Sequence, residues 1–158
     1  MFNTYNSLPK DDRKKVVKLL NQSLANLTDL YSQTKQAHWN VTGRFFYTLH
    51  KLFDELAELV EGHIDPMAER ITALGGVAHG TVRNAAEASI LKEFPVQKAG
   101  ELDYVKALIE RYALVANSVR ESIEDSTKLG DANTADLFTA VSRDLDKALW
   151  FLEAHVRP

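Results

Sequence analysis

Apolar residues recur every three or four positions over most of the chain, and nowhere do they alternate strictly with polar ones as a half-buried strand requires. The first such stretch opens at Ser7-Leu8-Pro9. Leu19, Leu20, Leu24, Leu27, Leu30 and Tyr31 then hold helical spacing toward His38, and residues 40–43 break it. A second stretch runs from about Phe45 to Leu74, where Gly75-Gly76 supplies a C-terminal stop. The third carries Leu102, Val105, Leu108, Ile109, Tyr112, Val115, Ala116, Val119 and Ile123 and ends near Gly130. The fourth begins at Asn133, a capping residue, with Asp136 favouring the helix N-terminus, and carries Leu137, Phe138, Val141, Leu145, Leu149 and Leu152. The pattern predicts four helices of roughly 20 to 30 residues.

Short turns join the first helix to the second and the third to the fourth, so each pair is antiparallel. A long connection lies between Gly75 and Gly100, with a short helix expected from about Ala85 to Leu91. The fold class is therefore all-α. A four-helix bundle with one long crossover between helices two and three is the ferritin-like arrangement rather than simple up-and-down. One domain over residues 1–158 is expected, without internal repeats.

Composition narrows the chemistry. The 158 residues are 45% apolar and 26% charged, which excludes disorder and suits a chain that buries its own core. The absence of cysteine removes disulfides, thiolate zinc sites, iron–sulfur clusters and a cysteine nucleophile together. No apolar run is long enough to span a membrane. The start MFNTYNSLPKDDRKK lacks the apolar core of a signal peptide, which places the protein in the cytoplasm. The net charge of −3 is unfavourable for a nucleic-acid binder.

The second helix holds the candidate chemistry. At about 100° per residue, Leu52, Leu56, Leu59, Val60, Met67, Ile71 and Leu74 form its core face, and His50, Asp54, Glu58, Glu61, Asp65 and Glu69 share the far side. A solvated face accounts for such a stripe on most helices. Solvated faces mix signs, however, whereas here Asp54–Glu58, Glu61–Asp65 and Asp65–Glu69 are repulsive i,i+4 pairs. Cations would neutralise them. Imidazole with carboxylate oxygen suits iron, manganese or zinc.

Within one chain the geometry is poor, because Asp54 and Asp65 stand about 16 Å apart along the helix, too far to share an ion. A second copy packed antiparallel across a two-fold axis near Leu59 and Val60 places His50 opposite Glu69 and Asp54 opposite Asp65 in one operation. Two equivalent His/Asp/Asp/Glu clusters result. His38, at the end of the first helix, completes each cluster if the bundle brings it alongside.

Lys35-Gln-Ala-His-Trp-Asn-Val-Thr-Gly43, Leu49-His50-x-x-Phe-Asp54 and Asp65-Pro-Met-Ala-Glu-Arg70-x-x-x-Leu-Gly-Gly76 together resemble the Dps mini-ferritins, the DNA-protection-during-starvation family. The similarity continues through Asp103–Asn117 and Ser142–Lys147 to Leu149-Trp150-Phe151. It implies a homododecamer built from two-fold dimers, with His38, His50 and Asp54 of one subunit meeting Asp65 and Glu69 of its mate at a ferroxidase centre. It implies oxidation of Fe²⁺, typically by hydrogen peroxide, with ferric mineral stored in the shell and zinc as an alternative occupant of one half-site. On this resemblance Asp54 and Glu69 hold the tighter iron, while Asp65 and the two histidines hold or steer it and a weaker second one. Trp39 is the family's site tryptophan, an electron donor or shield, with interface packing as the alternative. Glu55 and Glu58 are candidates for mineral nucleation. Asp131 and Asp136 are candidates for acidic entry pores, with helix capping as the alternative.

His63 falls on the core side and reads as a buried, hydrogen-bonded residue, and Pro66 predicts a kink in the second helix. For direct DNA binding the residues point in two directions. The chain has no Lys-rich tail, although Lys10, Arg13, Lys14, Lys15 and Lys18 against Asp11 and Asp12 make its start weakly basic. The alternative function is a nucleoid-binding structural oligomer with little ferroxidase activity.

Overall fold

The computed structural model describes residues 1–95 and 100–157. Its helices are α1 (Lys10–Asn40), α2 (Phe46–Ala73), α3 (Val82–Ala88), α4 (Glu101–Lys128) and α5 (Ala132–Ala154), and no strand occurs among the described residues. The four long helices lie where the apolar periodicity put them. Their inward faces meet in one core: Leu20, Leu24, Leu27 and Leu30 of α1, Phe53, Val60, Met67 and Ile71 of α2, Leu108, Tyr112, Val115 and Val119 of α4, and Phe138, Val141, Leu145 and Leu152 of α5. α1 packs chiefly on α2, and α4 on α5. Tyr112 crosses the bundle: its hydroxyl donates to Leu56 O (3.3 Å) and lies 3.2 Å from Thr34 Oγ1. Burial pushes its phenol up, so it stays a neutral donor.

Two helix starts differ from expectation. α3 begins three residues early because Thr81 and Asn84 form a reciprocal capping box, and it ends at Ala88 rather than near Leu91. α5 is capped by Asp131, not Asn133. The Asp131 carboxylate accepts from Thr134 N (3.1 Å) and also pairs with Arg70 Nη2 of α2 (2.7 Å). At 2% exposure, Asp131 is a buried tie between α2 and α5 rather than a side chain offered to a pore, whereas Asp136 is exposed. Pro66 does not end α2, which is assigned as one helix on both sides of it. The expected stop is present: Gly75 adopts φ +80°, and Gly75 N and Gly76 N donate to Thr72 O and Ile71 O.

The crossover is held by amide side chains of α1. Asn21 bonds Val77 O and His79 N, Gln22 bonds Ala88 O, Asn26 accepts from Ile90 N, and Gln33 bonds Lys92 O. Both sets of residue numbers rise together, so this segment travels alongside α1 in the same direction. Buried Arg111 fastens its far end, donating to Glu93 O (2.8 Å) with its guanidinium over the Phe94 ring. The chain is thereby carried to the end of the bundle where α1 finishes and α2 starts. There Glu101, first residue of α4, meets the α1–α2 turn.

Candidate metal centre

His38 lies in the last turn of α1 and His50 in the second turn of α2, across the short turn at residues 41–45. Their rings stack with centroids 3.8 Å apart. Each Nδ1 sits within hydrogen-bond distance of the other residue's backbone carbonyl: His38 Nδ1 to His50 O at 2.8 Å, His50 Nδ1 to His38 O at 3.0 Å. A carbonyl only accepts, so each Nδ1 carries the proton and each Nε2 keeps its lone pair in the neutral ring. The exchange also satisfies one of the carbonyls that the end of α1 leaves without a helical partner. Both histidines are therefore set in the tautomer that ligates through Nε2, oriented by the backbone itself.

Asp54 stands one helical turn below His50, and its Oδ1 lies 3.8 Å from His38 Nε2. The same oxygen accepts from Lys35 Nζ at 2.6 Å. That hydrogen bond holds the Asp54 carboxyl below the usual carboxylate range and raises the Lys35 ammonium. Lys35 belongs to the sequence motif but had no role assigned to it. A cation binding Asp54 Oδ1 competes with its ammonium for the same negative charge. Lys35→Met is expected to tighten Co²⁺ binding, read by calorimetry, by up to about fivefold, the scale of one partly exposed ion pair. An unchanged or weaker affinity would show that Lys35 does not compete.

His38, His50 and Asp54 are thus brought together, and Asp65 and Glu69 are not brought to them. Those two project from the exposed face of α2 about three and four turns beyond Asp54. Among the described residues no three His, Asp or Glu side chains of a single chain cluster closely enough to hold a metal ion. The donor types, imidazole nitrogen and carboxylate oxygen, suit a hard or borderline divalent cation, with His38 close to Asp54 and stacked on His50 and with Asp65 and Glu69 on a separate stretch of α2.

Trp39 is 66% exposed beside His38, and Phe45, Phe46 and Tyr47 are exposed across the turn, with the Phe46 ring 5.1 Å from that of His50. Glu55 and Glu58 are exposed on α2. His63 is mostly buried, as expected, with Nε2 2.8 Å from Asp144 Oδ2 of α5, which places it outside the ligand set. At the basic start of α1, Lys14 and Lys15 pair with Asp11 and Asp12, so much of that charge is neutralised locally. No described helix is long and apolar enough to cross a membrane.

The model of the ferritin-like domain family matches residues 17–157. A DNA protection during starvation protein of Agrobacterium fabrum is 47% identical over 154 residues, covering 98% of this chain and 95% of that protein. The solved Dps structure from Mycobacterium smegmatis superposes with a TM-score of 0.95 at 32% identity, covering 100% and 95% of the two chains. A Dps structure from Vibrio cholerae, described as a member of the ferritin-like diiron-carboxylate superfamily, superposes with a TM-score of 0.91 at 26% identity, covering 99% and 98%.

Proposed function

The chain belongs to the Dps branch of the ferritin-like family, and from that premise we propose that it oxidises Fe²⁺ with hydrogen peroxide at centres shared between two subunits and stores the ferric product. His38, His50 and Asp54 of one subunit hold the substrate iron together with the partner subunit's Asp65 and the partner subunit's Glu69. The observation that carries the reading is the reciprocal histidine pair, in which each Nδ1 is engaged by the other residue's carbonyl and His38 Nε2 lies 3.8 Å from Asp54 Oδ1. The incomplete ligand set in one chain supports the sharing. Each half-site lacks donors that the other supplies, and the i + j spacing on α2 brings both pairs into register under a single two-fold.

The chemistry balances without a resident cofactor. Two Fe²⁺ ions each lose one electron, and peroxide takes both electrons and two protons to give two water molecules. Hydrolysis of the Fe³⁺ then deposits oxyhydroxide and releases protons. Paired delivery of the electrons avoids the one-electron cleavage that yields hydroxyl radical, which is how the protein would protect DNA chemically. Anaerobic Fe²⁺ loading followed by peroxide tests this. Ferric absorbance should rise far faster than in buffer, with spin-trapped hydroxyl radical suppressed. A rise no faster than in buffer removes the proposal.

Assembly is proposed as a dodecamer of two-fold dimers, consistent with the exposed aromatic group of Trp39, Phe45, Phe46 and Tyr47 beside the half-site. Multi-angle light scattering should report a mass near that of a dodecamer of 17.7 kDa chains. A stable monomer would refute both the shell and the shared centre.

A further inference from the structure

We propose that Glu101 is a positioning residue for the His38/His50/Asp54 half-site. This rests on the iron-oxidation reading above and adds to it a residue from a different helix.

α2 starts without the usual devices. Its N-cap position is Phe45, no side chain of the turn caps it, and its first turn holds no acidic residue. Glu101 supplies both from α4: Oε2 accepts from Phe45 N at 2.9 Å, and its negative charge stands at the positive end of the α2 dipole. The turn is shaped around that carboxylate. Gly43 has φ +114°, and a Cβ there would collide with Glu101 Oε2, with Glu101 Cδ 3.1 Å away. Glycine is thus required twice at this position, for its backbone and for the space its missing side chain leaves.

The consequence reaches the metal ligands through the backbone. The two histidines are oriented by each other's carbonyl oxygens, so their geometry depends on how the end of α1 and the start of α2 sit relative to one another. Residues 41–45 are the covalent link between the two ends, and Glu101 holds that link from α4 through Phe45 N and against Gly43. Withdrawing it lets the first turn of α2 fray, lengthens the Nδ1···O contacts and loosens the aim of both Nε2 atoms. Glu101 touches no substrate and acts through Phe45 and the turn.

Four variants of the assembled protein test this: Glu101→Ala, Glu101→Gln, Glu101→Asp and Gly43→Ala, with Asp54→Ala as the control. Three quantities are compared: Co²⁺ affinity by calorimetry, the KM and kcat for Fe²⁺, and the melting temperature. Glu101→Ala should weaken Co²⁺ binding about three- to tenfold, at or below the usual cost of losing an outer-shell partner. KM for Fe²⁺ should rise with kcat nearly kept. Glu101→Gln retains an acceptor and should restore affinity to within about twofold of the parent. Glu101→Asp keeps the charge but withdraws it by one methylene, and it should behave like the alanine variant. It decides the matter if that variant does not assemble. Gly43→Ala should reproduce the loss from the other side of the contact. If Glu101→Ala and Glu101→Asp lower the melting temperature while Co²⁺ affinity stays at the parent value, Glu101 is only a helix cap and the proposal is wrong. It is equally wrong if glutamine fails to rescue. If Asp54→Ala itself binds Co²⁺ like the parent, the metal centre falls and this proposal with it.

Discussion

The double variant Asp54→Ala/Glu69→Ala is expected to abolish peroxide-driven iron oxidation, slowing the stopped-flow ferric signal by more than about 100-fold. Loss of an outer-shell partner alone costs a metal site about 10- to 100-fold, and on the proposed ligand set this variant deletes one ligating carboxylate from each half-site. Both side chains lie outside the apolar core, and Glu69 is exposed, so the bundle should fold as before. Removing them also relieves the Asp54–Glu58 and Asp65–Glu69 repulsions. It also breaks the partly exposed Lys35–Asp54 ion pair, so the two effects oppose each other and the metal-free variant should melt close to the parent by circular dichroism. Unchanged oxidation would mean that these carboxylates do not hold the reacting iron. Lost oxidation with a lowered melting temperature would point to misfolding instead, which is why both are measured together.

Asp131→Ala should produce the largest loss of stability. The variant leaves the Arg70 guanidinium, itself largely buried, without its charge partner, and it removes the α5 cap. Breaking a buried ion pair from one side costs about 3–5 kcal/mol, and a lost N-cap costs about 1 kcal/mol more. For a chain of this length the melting temperature should fall by about 10 °C or more. Asp131→Asn keeps an acceptor for Thr134 N and should recover part of the loss. Because association shifts apparent stability, the variants are compared at one protein concentration. An alanine variant that melts with the parent would mean that Asp131 is not the tie between α2 and α5.

What the sequence made legible follows the physics of each feature. The four long helices were readable because burial imposes a 3.6-residue period, and Leu20, Leu24, Leu27 and Leu30 or Phe53, Val60, Met67 and Ile71 display it directly. The polar stripe of His50, Asp54, Asp65 and Glu69 on α2 was readable for the same reason, since one helix face is a fixed arithmetic progression. The sequence offered both Asn133 and Asp131 as caps for α5, because both are good capping residues, and the tertiary pairing with Arg70 decides for Asp131. Lys35 and Glu101 escaped because each acts on another helix, where no periodicity registers. A hint was present for Glu101: α2 opens Arg44-Phe45-Phe46 with neither a capping side chain nor an early acid, so its cap had to come from elsewhere. Mutual orientation of His38 and His50 through main-chain carbonyls leaves no trace in residue type at all.

The amides along α1 that hold the crossover bear on how such a chain drifts over time. Asn21, Gln22, Asn26 and Gln33 grip main-chain atoms of residues 77–92, and main-chain atoms are the same whatever side chain is attached. Between its anchor points, and apart from the Thr81/Asn84 capping box and Phe94, the crossover is therefore freer to change its letters than its length, because a residue gained or lost would shift the later main-chain atoms away from the amides that hold them. The selective burden of an irregular segment has been transferred to a regular helix. Substitutions should accumulate in the loop, and insertions should be rejected there.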